Sequence, residues 1–529
     1  MQQHRSSLAM GIIAVALCGA CNAHPLKPVC LDHEAEDTLQ VSMDSQRKVD
    51  ILFVIDDSGS MGEEQAALAS NFEVLVQRLE QIEVGADYRI GLITTNNPNP
   101  HCLETTDVEL GALQLRSCLS HLDHFIYADV DRRDEACRAR CPAHLADLST
   151  TPTALEPGGP LAARPWLQRS DEGSNVPEGV TTAQALACWG PQGISGCGYE
   201  SPLEAMITAF DRSYDDGDPM AGFLRDDALL QVVIITDEAD CSATPAGFPA
   251  FDPDGDRALW PDPQAQLAPS AVCWSAGVAC ETLGDGRISC LPANVDAQGQ
   301  PTTPDDAALH PLSRYLERLG QIDQRKRERL GSDQAQVLLS VIAGVPVGYA
   351  GEDLDYGPGN DPGFEGYYGV GPGCSSDRGE AVPPVRLLAV AESMDESRGN
   401  VFSICDGDYR PALEAIANRL IAQLSQPTCI DSGGRGSEVV DAGRVEHCIV
   451  QQRLDDQLRS VPTCLEGNEG WELPAGASLC TYAVTDDQVH ETCNGESQGV
   501  ELRYLQAPNT DFGSVEVTCQ LDFGPSCAG

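Results

Sequence analysis

The stretch Val49-Asp-Ile-Leu-Phe-Val-Ile55, followed at once by Asp56-Asp-Ser-Gly-Ser60, decides the fold of this chain. Its first seven residues are apolar at every position except the second. Such a run is typical of a strand that is buried on both faces of a parallel sheet. After a short turn, the apolar residues between positions 63 and 79 recur at helical spacing. This strand, turn and helix predict the first unit of an α/β domain.

Four more apolar runs predict strands, and segments with helical periodicity lie between them. The predicted strands cover residues 88–94, 229–235, 337–343 and 400–404, and the predicted helices cover 201–210, 310–330 and 409–424. Strands that alternate with helices favour a mainly parallel sheet with helices on both faces. We therefore expect a three-layer, Rossmann-like α/β domain over residues 48–427.

The cysteines indicate an oxidising compartment and a disulfide framework, because 22 cysteines are too many for a reducing cytosol. Two cysteine-rich segments, at about 96–197 and 241–301, interrupt the α/β pattern and are interpreted as disulfide-stapled insertions. After residue 427 the chain turns to short alternating runs with seven cysteines. Residues 428–529 are therefore predicted to form a small, mainly β domain.

Cysteine counting adds one constraint on the disulfides. There are 13 cysteines from Cys30 to Cys405 and seven from Cys429 onward, so both counts are odd. If all twenty form pairs within the chain, at least one disulfide must join the two regions.

The N-terminus is typical of an export signal. His4 and Arg5 precede an apolar stretch too short to span a bilayer. The sequence Leu17-Cys-Gly-Ala-Cys21 that follows resembles a bacterial lipobox, which implies a signal peptide over residues 1–20 and lipid on Cys21. We expect residues 21–47 to be a tether, and the protein to be anchored to the outer membrane or cell surface. Ordinary secretion, with cleavage near Ala20 or Ala23, is the alternative.

The composition narrows the range of functions. A net charge of −48 disfavours binding to nucleic acid or anionic lipid headgroups and favours cations or basic partners. The chain has no H-E-x-x-H or P-loop motif, and its one G-x-S-x-G match, Gly495-Glu-Ser-Gln-Gly499, lies after residue 427, outside the α/β pattern in which that motif carries a catalytic serine. The expectation is a protein that is not an enzyme.

The turn after the first strand has the D-x-S-x-S pattern of Asp56, Ser58 and Ser60. Ligands of open α/β sheets bind at the carboxyl ends of the strands. A carboxylate and two hydroxyls at that place suit a hard divalent cation, with Mg²⁺ preferred and Ca²⁺ or Mn²⁺ as alternatives.

With these residues the chain resembles the von Willebrand factor type A (VWA) family, whose metal-ion-dependent adhesion site (MIDAS) uses this pattern. The resemblance covers about residues 48–427. It implies that Ser58 and Ser60 bind the metal directly, and that Asp56 acts through water. Asp237, at the end of a later predicted strand, would be the family's second aspartate. The alternative for Asp237 is a helix N-cap.

One ligand position departs from the family pattern. A threonine is usual shortly before a helix, and the spacing puts Glu200 there, with Ser201 as a second candidate. Glu200 as a ligand would make the site more negative and weaken its binding of an external carboxylate. Alternatively, Glu200 only caps the helix.

Two other groups of residues could bind metals. Asp252-Pro-Asp-Gly-Asp256 is similar to a calcium loop but lacks the downstream glutamate of an EF-hand. Cys102, Cys118, His121 and His124 could supply four zinc ligands, although disulfide pairing is preferred in an oxidising compartment.

The sequence therefore predicts an extracytoplasmic adhesion or protein-interaction module that is not an enzyme. Its cation would keep one coordination position open for a partner protein, which would supply an acidic side chain or a contact through water. Its lipid would contact the membrane. A structural or assembly role in the cell envelope, with a metal that only stabilises the loop, is the alternative.

Overall fold

The structure is a computed structural model that describes most of the chain. The described residues are 37–44, 48–80, 86–96, 99–102, 111–155, 159–170, 173–330, 334–357, 361–424, 428–430, 440–441, 443–445, 448–454, 457–467, 470–485, 493, 499–506 and 514–521. The predicted signal peptide and the proposed lipidation site Cys21 lie outside them.

Strands and helices alternate through the first four fifths of the chain, and strands alone follow. The helices are α1 (Gly62–Leu79), α2 (Thr182–Trp189), α3 (Pro202–Ser213), α4 (Ala271–Gly277), α5 (Leu312–Leu330), α6 (Pro362–Tyr368), α7 (Val385–Met394) and α8 (Arg410–Leu424). The strands are β1 (Asp37–Asp44), β2 (Lys48–Ile55), β3 (Asp87–Thr94), β4 (Ile126–Tyr127), β5 (Val130–Asp131), β6 (Leu167–Ser170), β7 (Gly173–Ser174), β8 (Leu229–Ile235), β9 (Val278–Thr282), β10 (Ile288–Pro292), β11 (Val337–Ala343), β12 (Cys374–Ser375), β13 (Glu380–Ala381), β14 (Val401–Ser403), β15 (Thr428–Ile430), β16 (Val440–Asp441), β17 (Arg444–Val445), β18 (Cys448–Leu454), β19 (Gln457–Ser460), β20 (Leu465–Gly467), β21 (Gly470–Glu472), β22 (Leu479–Val484), β23 (Val500–Gln506) and β24 (Ser514–Leu521).

The central sheet has seven strands in the order β14-β11-β8-β2-β3-β6-β7. The first five are mutually parallel, while β6 and β7 add to the edge in antiparallel fashion. The predicted α/β class with a mainly parallel sheet is therefore confirmed.

The sheet is covered on both faces, which explains why β2 is apolar nearly throughout. Val49, Ile51 and Phe53 point into one core, which they share with α1, α2 and α8. Leu52 and Val54 point into the other, which they share with α3, α5 and α7. Successive side chains of a strand face opposite sides of the sheet. A strand between two helical layers must therefore be apolar at odd and even positions alike. The domain thus has three layers.

Helix α7 and strand β1 are among the elements that differ from the sequence-based expectations. Helix α7 was not predicted, because its short apolar run shows no clear polar face. Part of the predicted tether over residues 21–47 is wrong, because β1 is a strand that pairs with β24 in antiparallel register. The cause is long-range pairing, since the strand that pairs with it lies almost 500 positions away in the sequence.

The first insertion is stapled as expected, but it also contributes to the sheet. Its six cysteines pair among themselves as Cys102–Cys197, Cys118–Cys137 and Cys141–Cys188. The zinc alternative for Cys102 and Cys118 is therefore wrong. Strands β6 and β7 belong to this segment and extend the central sheet.

The remaining described cysteines also pair locally. The bridges Cys241–Cys273, Cys280–Cys290 and Cys374–Cys405 lie in the α/β region, and Cys429–Cys493, Cys448–Cys519 and Cys464–Cys480 lie after it. Of the twenty cysteines counted above, Cys30 and Cys527 lie outside the described residues, one in each region.

Counting therefore predicts that Cys30 is bonded to Cys527. We expect non-reducing peptide mapping by mass spectrometry to recover a linked pair of peptides carrying these two cysteines. Recovery of either cysteine as a free thiol, or linked to a different cysteine, would contradict the prediction.

We expect His121 to make the stability of the first insertion depend on pH. Burial lowers the pKa of its imidazole to about 4, and the positive charge of Arg116 adds to this effect. The imidazole of His121 binds a proton more readily in the unfolded state than in the folded state. Its contribution to the free energy of unfolding is therefore fully present above about pH 6.5 and is lost as pH falls towards 4. We expect this group to contribute about 3 kcal/mol of that loss. Urea unfolding at pH 7 and pH 4 should show a smaller loss for His121→Gln than for the wild type. The exposed His144 offers a matched control, since His144→Gln should lose as much as the wild type.

The region after α8 is built from strands, as predicted. A four-stranded sheet has the order β1-β24-β18-β19, and a three-stranded sheet has the order β15-β23-β22. Val500, Val515 and Val517 are among the fully buried residues of their common core. Within the described part of the chain, no helix has both the length and the apolar character to cross a membrane.

Candidate functional site

The candidate site lies where the strand order of the central sheet reverses. From β2 the chain continues to β3 on one side, and later returns to β8 on the other side of β2. Connections leave this point in opposite directions and open a crevice at the carboxyl ends of the strands, where open α/β sheets bind ligands. Ile55 and Ile235 are paired in adjacent parallel strands. Asp56 and Asp237 therefore emerge at the same edge of the sheet.

Asp56 is fully buried and is held by hydrogen bonds of its amide and its carboxylate. Its amide donates to the Ile235 carbonyl at 3.0 Å, which joins the two strand ends. One carboxylate oxygen accepts from the Ser58 amide at 2.8 Å. The other accepts from the hydroxyl of Thr236. Burial raises the pKa of the Asp56 carboxyl above its ordinary value, although these hydrogen bonds oppose the shift.

Gln65, on the first turn of α1, fixes the loop that carries Asp56. Its amide nitrogen donates to the carbonyls of Asp56 and Gly193, at 2.8 and 2.7 Å. Its amide oxygen accepts from the backbone of Gln192 at 2.8 Å. Because Gln65 is 1% exposed, these bonds form in a dry environment. The D-x-S-x-S loop is thereby locked to the end of the first insertion.

The two serines and Asp237 form a second part of the site. The hydroxyls of Ser58 and Ser60 lie 3.2 Å apart. Ser60 also hydrogen-bonds the Asp237 carboxylate, whose pKa burial and the neighbouring Asp56 charge raise well above its ordinary value. No helix begins after Asp237; the chain there is irregular from 236 to 247. The helix-cap alternative for Asp237 is therefore wrong.

Glu200 lies against the same site and does not cap a helix. The N-cap of α3 is Ser201. The Glu200 side chain is 1% exposed, and one of its oxygens accepts from the Thr95 hydroxyl. Burial, followed by the charges of Asp56 and Asp57, raises the pKa of Glu200 well above its ordinary value. The cap alternative for Glu200 is wrong, and Ser201 instead hydrogen-bonds the Cys241 carbonyl at 2.8 Å.

The two acids after Asp237 differ in role. Burial raises the pKa of Glu238 to about 8, and the Asp56 charge adds to the shift. Asp240 forms a buried ion pair instead, with its carboxylate 2.9 Å from Nε of Arg386. Both residues are acidic and follow Asp237 closely, which predicts that they add to the negative potential of the site. For Asp240 this prediction is wrong, because Arg386 neutralises it.

Two carboxylate oxygens of the candidate site are left without a partner. Oε1 of Glu200 and Oδ1 of Asp237 are buried oxygens without a hydrogen-bond partner. Unpaired buried carboxylate oxygens are costly, and a cation is the partner that would satisfy them. Over the described residues, no group of three or more His, Cys, Asp or Glu side chains is arranged to hold a metal ion. Asp56, Glu200 and Asp237 are therefore not placed to hold a metal ion by themselves, and a cation here would also need the serine hydroxyls as ligands.

The calcium-like segment Asp252–Asp256 has no buried carboxylate oxygen without a hydrogen-bond partner. Asp252 accepts a hydrogen bond from the Asp254 amide at 2.9 Å in a surface turn. All three of its aspartates are at least partly exposed to solvent. The segment is explained as a turn.

Exposed apolar side chains lie near the acidic residues. The ring of Tyr127 in the β4–β5 hairpin lies over Gly59, so that a Cβ on Gly59 would come within 2.5 Å of it. Ile126, Tyr127 and Val130 of this hairpin are exposed. Helix α6 lies near Asp237 and Glu238 through Tyr368, and its Tyr367 is exposed.

Disulfides hold both loops that carry the predicted site residues. Cys197, bonded to Cys102, lies three positions before Glu200. Cys241, bonded to Cys273, lies four positions after Asp237. The backbone near these side chains is thus restrained by covalent links, which favours a preorganised site.

Sequence reasoning missed several polar neighbours of the site. Thr95 and Thr236 are fully buried and donate to Glu200 and Asp56. Asn96 donates to Asp57 at 2.7 Å. The signal available was their position, since Thr95 and Thr236 each directly follow a predicted strand.

Comparison with known proteins assigns no family. No protein-family model and no curated protein matches the chain. Two matching solved structures are of the pilus adhesin SpaC from Lactobacillus rhamnosus GG, one of them in an open conformation. The first has a TM-score of 0.30 at 8% identity, over 91% of this chain and 40% of the adhesin chain. The open form has a TM-score of 0.29 at 10% identity, over the same shares. This chain thus spans about two fifths of the adhesin chains it matches. Such a likeness is too distant to assign a function.

Proposed function

We propose that this protein is an extracytoplasmic adhesion or protein-interaction module of the VWA type, which binds a divalent cation at Asp56, Ser58, Ser60, Asp237 and Glu200. The single observation that carries the proposal is the pair of buried, unpartnered oxygens of Glu200 and Asp237 at the reversal point of the sheet. The Asp237 carboxylate is hydrogen-bonded to Ser60, whose hydroxyl lies 3.2 Å from that of Ser58. Oxygen ligands of this kind favour Mg²⁺, with Ca²⁺ and Mn²⁺ as alternatives.

A partner protein would complete the site. The cation would provide a Lewis-acidic contact, and the exposed Ile126, Tyr127 and Tyr367 would add apolar contact area. Aromatic residues around a polar centre are typical of protein interfaces. We assign no catalytic role to any residue.

The proposed location is the outside of the cell. The nine disulfides among the described residues require an oxidising compartment, which supports export. A lipid on Cys21 would anchor the protein to the envelope through the N-terminal segment.

The test is capture of a partner by the immobilised protein from an extract of its own cell envelopes. We expect a specific protein to be retained in Mg²⁺, and to be released by EDTA. It should also be absent when Asp237→Asn is used. A partner retained equally with EDTA would argue against metal-dependent adhesion. If the cation raises the melting temperature but no partner is retained, the structural role in the envelope is favoured instead.

A further inference from the structure

Strand β1 brings the N-terminal segment of the chain into the C-terminal β region. Its eight residues, Asp37–Asp44, pair with β24 in an unbroken antiparallel register. Strand β24 pairs with β18 on its other side, so β1 is an edge strand of the four-stranded sheet. The backbone of β1 also approaches β15, which belongs to the three-stranded sheet. Both sheets of the region therefore lie next to this segment.

The register between β1 and β24 matches apolar residues with apolar residues. The apolar pairs are Leu39 with Cys519, Val41 with Val517 and Met43 with Val515. These three residues of β24 are at most 1% exposed and belong to the core of the C-terminal region. The polar pairs between them are Thr38 with Gln520, Gln40 with Thr518 and Ser42 with Glu516. A shift by one residue would put every apolar residue opposite a polar one, so the two sequences specify this register.

We propose that residues 37–44 are a strap, which the C-terminal region binds as its own edge strand. The strap and residues 428–521 then form one β domain, and the α/β domain is inserted between them. The strap fastens the amino edge of the central sheet to this β domain, so that the candidate site faces away from it. This inference does not depend on a bound cation.

Both connections between the β domain and the α/β domain are short and lie at the amino ends of the central strands. Three residues separate β1 from the start of β2, and three separate the end of α8 from β15. Gln423, in the last turn of α8, donates to the carbonyl of Ala335 at 2.7 Å, just before β11 begins. Asp56 follows the other end of β2. At about 3.3 Å per residue, the length of β2 puts the candidate site about 26 Å from these connections.

The amino edge of the sheet is rigid where the strap joins it. Lys48, the first residue of β2, forms an ion pair with Asp227 at 2.6 Å. Arg225 joins Asp50 of β2 to Asp87 of β3, at 2.8 and 2.7 Å. Because only three residues connect the strap to this edge, binding of the strap by β24 restricts the movement of the α/β domain relative to the β domain.

The lengths of the chain ends agree with the disulfide predicted by counting. Cys30 precedes Asp37 by seven residues, and Cys527 follows Leu521 by six. Asp37 and Leu521 are paired in the ladder. Nearly equal lengths of chain therefore lead from one end of the ladder to the two cysteines. A bond between them would oppose separation of the strap from β24.

Hydrogen exchange of the intact wild-type protein tests the strap directly. In an antiparallel pair, alternate amides of an edge strand donate to the neighbouring strand. We therefore expect about half of the amides of residues 37–44 to exchange about a hundredfold more slowly than in an unstructured peptide. Exchange of all of them at the rate of an unstructured peptide would show a free tether and overturn the inference.

A matched pair of variants tests whether the β domain needs the strap. Val41→Asp places a carboxylate opposite the buried Val517, whereas Gln40→Asp places one opposite Thr518, a partly exposed residue. Under non-reducing conditions, Val41→Asp should increase proteolytic cleavage within residues 428–521 about tenfold and leave cleavage of the α/β domain unchanged. Gln40→Asp and the conservative Val41→Ile should match the wild type. If Val41→Asp is cleaved no faster than Gln40→Asp, the β domain does not use the strap and the inference is wrong.

Discussion

Replacing Asp237 by asparagine is expected to weaken divalent-cation binding at least a hundredfold while leaving the protein folded. Asparagine keeps the size of the side chain and an oxygen that Ser60 can reach, but it removes one of the negative charges that would hold the cation. The affinity of oxygen-ligand sites depends strongly on the number of charged ligands. In the wild type, cation at a hundred times its dissociation constant should stabilise the fold by about 2.7 kcal/mol.

Without the cation, the same substitution should leave the stability of the fold unchanged or increase it. Burial and the Asp56 charge raise the pKa of Asp237, which means that its ionised form is unfavourable in the folded protein. In EDTA, Asp237→Asn should therefore melt at the same temperature as the wild type or higher. Titration calorimetry and thermal melts with Mg²⁺, Ca²⁺, Mn²⁺ or EDTA measure both effects. Asp216→Asn, at an exposed position, is the control and should match the wild type. A variant that binds cations as tightly as the wild type would remove Asp237 from the site.

The largest effect on stability is expected for Arg386→Met. Nε of Arg386 lies 2.9 Å from the Asp240 carboxylate, and the two side chains are 3% and 0% exposed. Arg386 also donates to the His310 carbonyl at 2.7 Å, which connects α7 to the start of α5. Methionine leaves Asp240 charged and buried without its ion-pair partner. Loss of one member of a buried pair typically costs about 3–5 kcal/mol, and we expect a decrease of that size in the free energy of unfolding.

A double variant shows whether the unpaired charge of Asp240 causes the loss of stability in Arg386→Met. Arg386→Met with Asp240→Asn removes both charges, so it should lose less stability than Arg386→Met alone. Urea unfolding under non-reducing conditions measures the difference. Arg410→Met removes a solvent-exposed ion pair with Asp408 and should leave the unfolding midpoint unchanged. If the unfolding midpoint of Arg386→Met is unchanged, as expected for Arg410→Met, the buried pair of Arg386 and Asp240 does not stabilise the fold.

Most of the α/β core was predictable because its signals are local. Strands β2, β8 and β11 are apolar runs of seven or eight residues, and the bounds predicted for them differ by no more than one residue from those observed. Helix α1 shows the amphipathic spacing of a helix with one buried side. The number of cysteines was enough to predict the stapling of both insertions, although not the pairing within them.

Other features depend on residues that are distant in the chain. Strand β1 exists because its edge is paired by β24, and no pattern in residues 37–44 reveals that partner. The insertion strands β6 and β7 join the sheet by pairing with the edge of β3. The side chains of β3 alternate between two cores, and sequence periodicity can show this. Which strand pairs with the edge of β3 is known only from the folded sheet.

For the candidate site, the sequence by itself determined which side chains end the strands, and therefore that Asp56 and Asp237 belong at one edge. Only the tertiary structure decided what surrounds them. It buried Glu200 against Asp56 and Asp57, neutralised Asp240 with Arg386 from α7, and placed Tyr127 over Gly59. The physical reason is that charge balance and burial depend on the distances between side chains, and those distances follow from how the insertions and helices pack on the sheet.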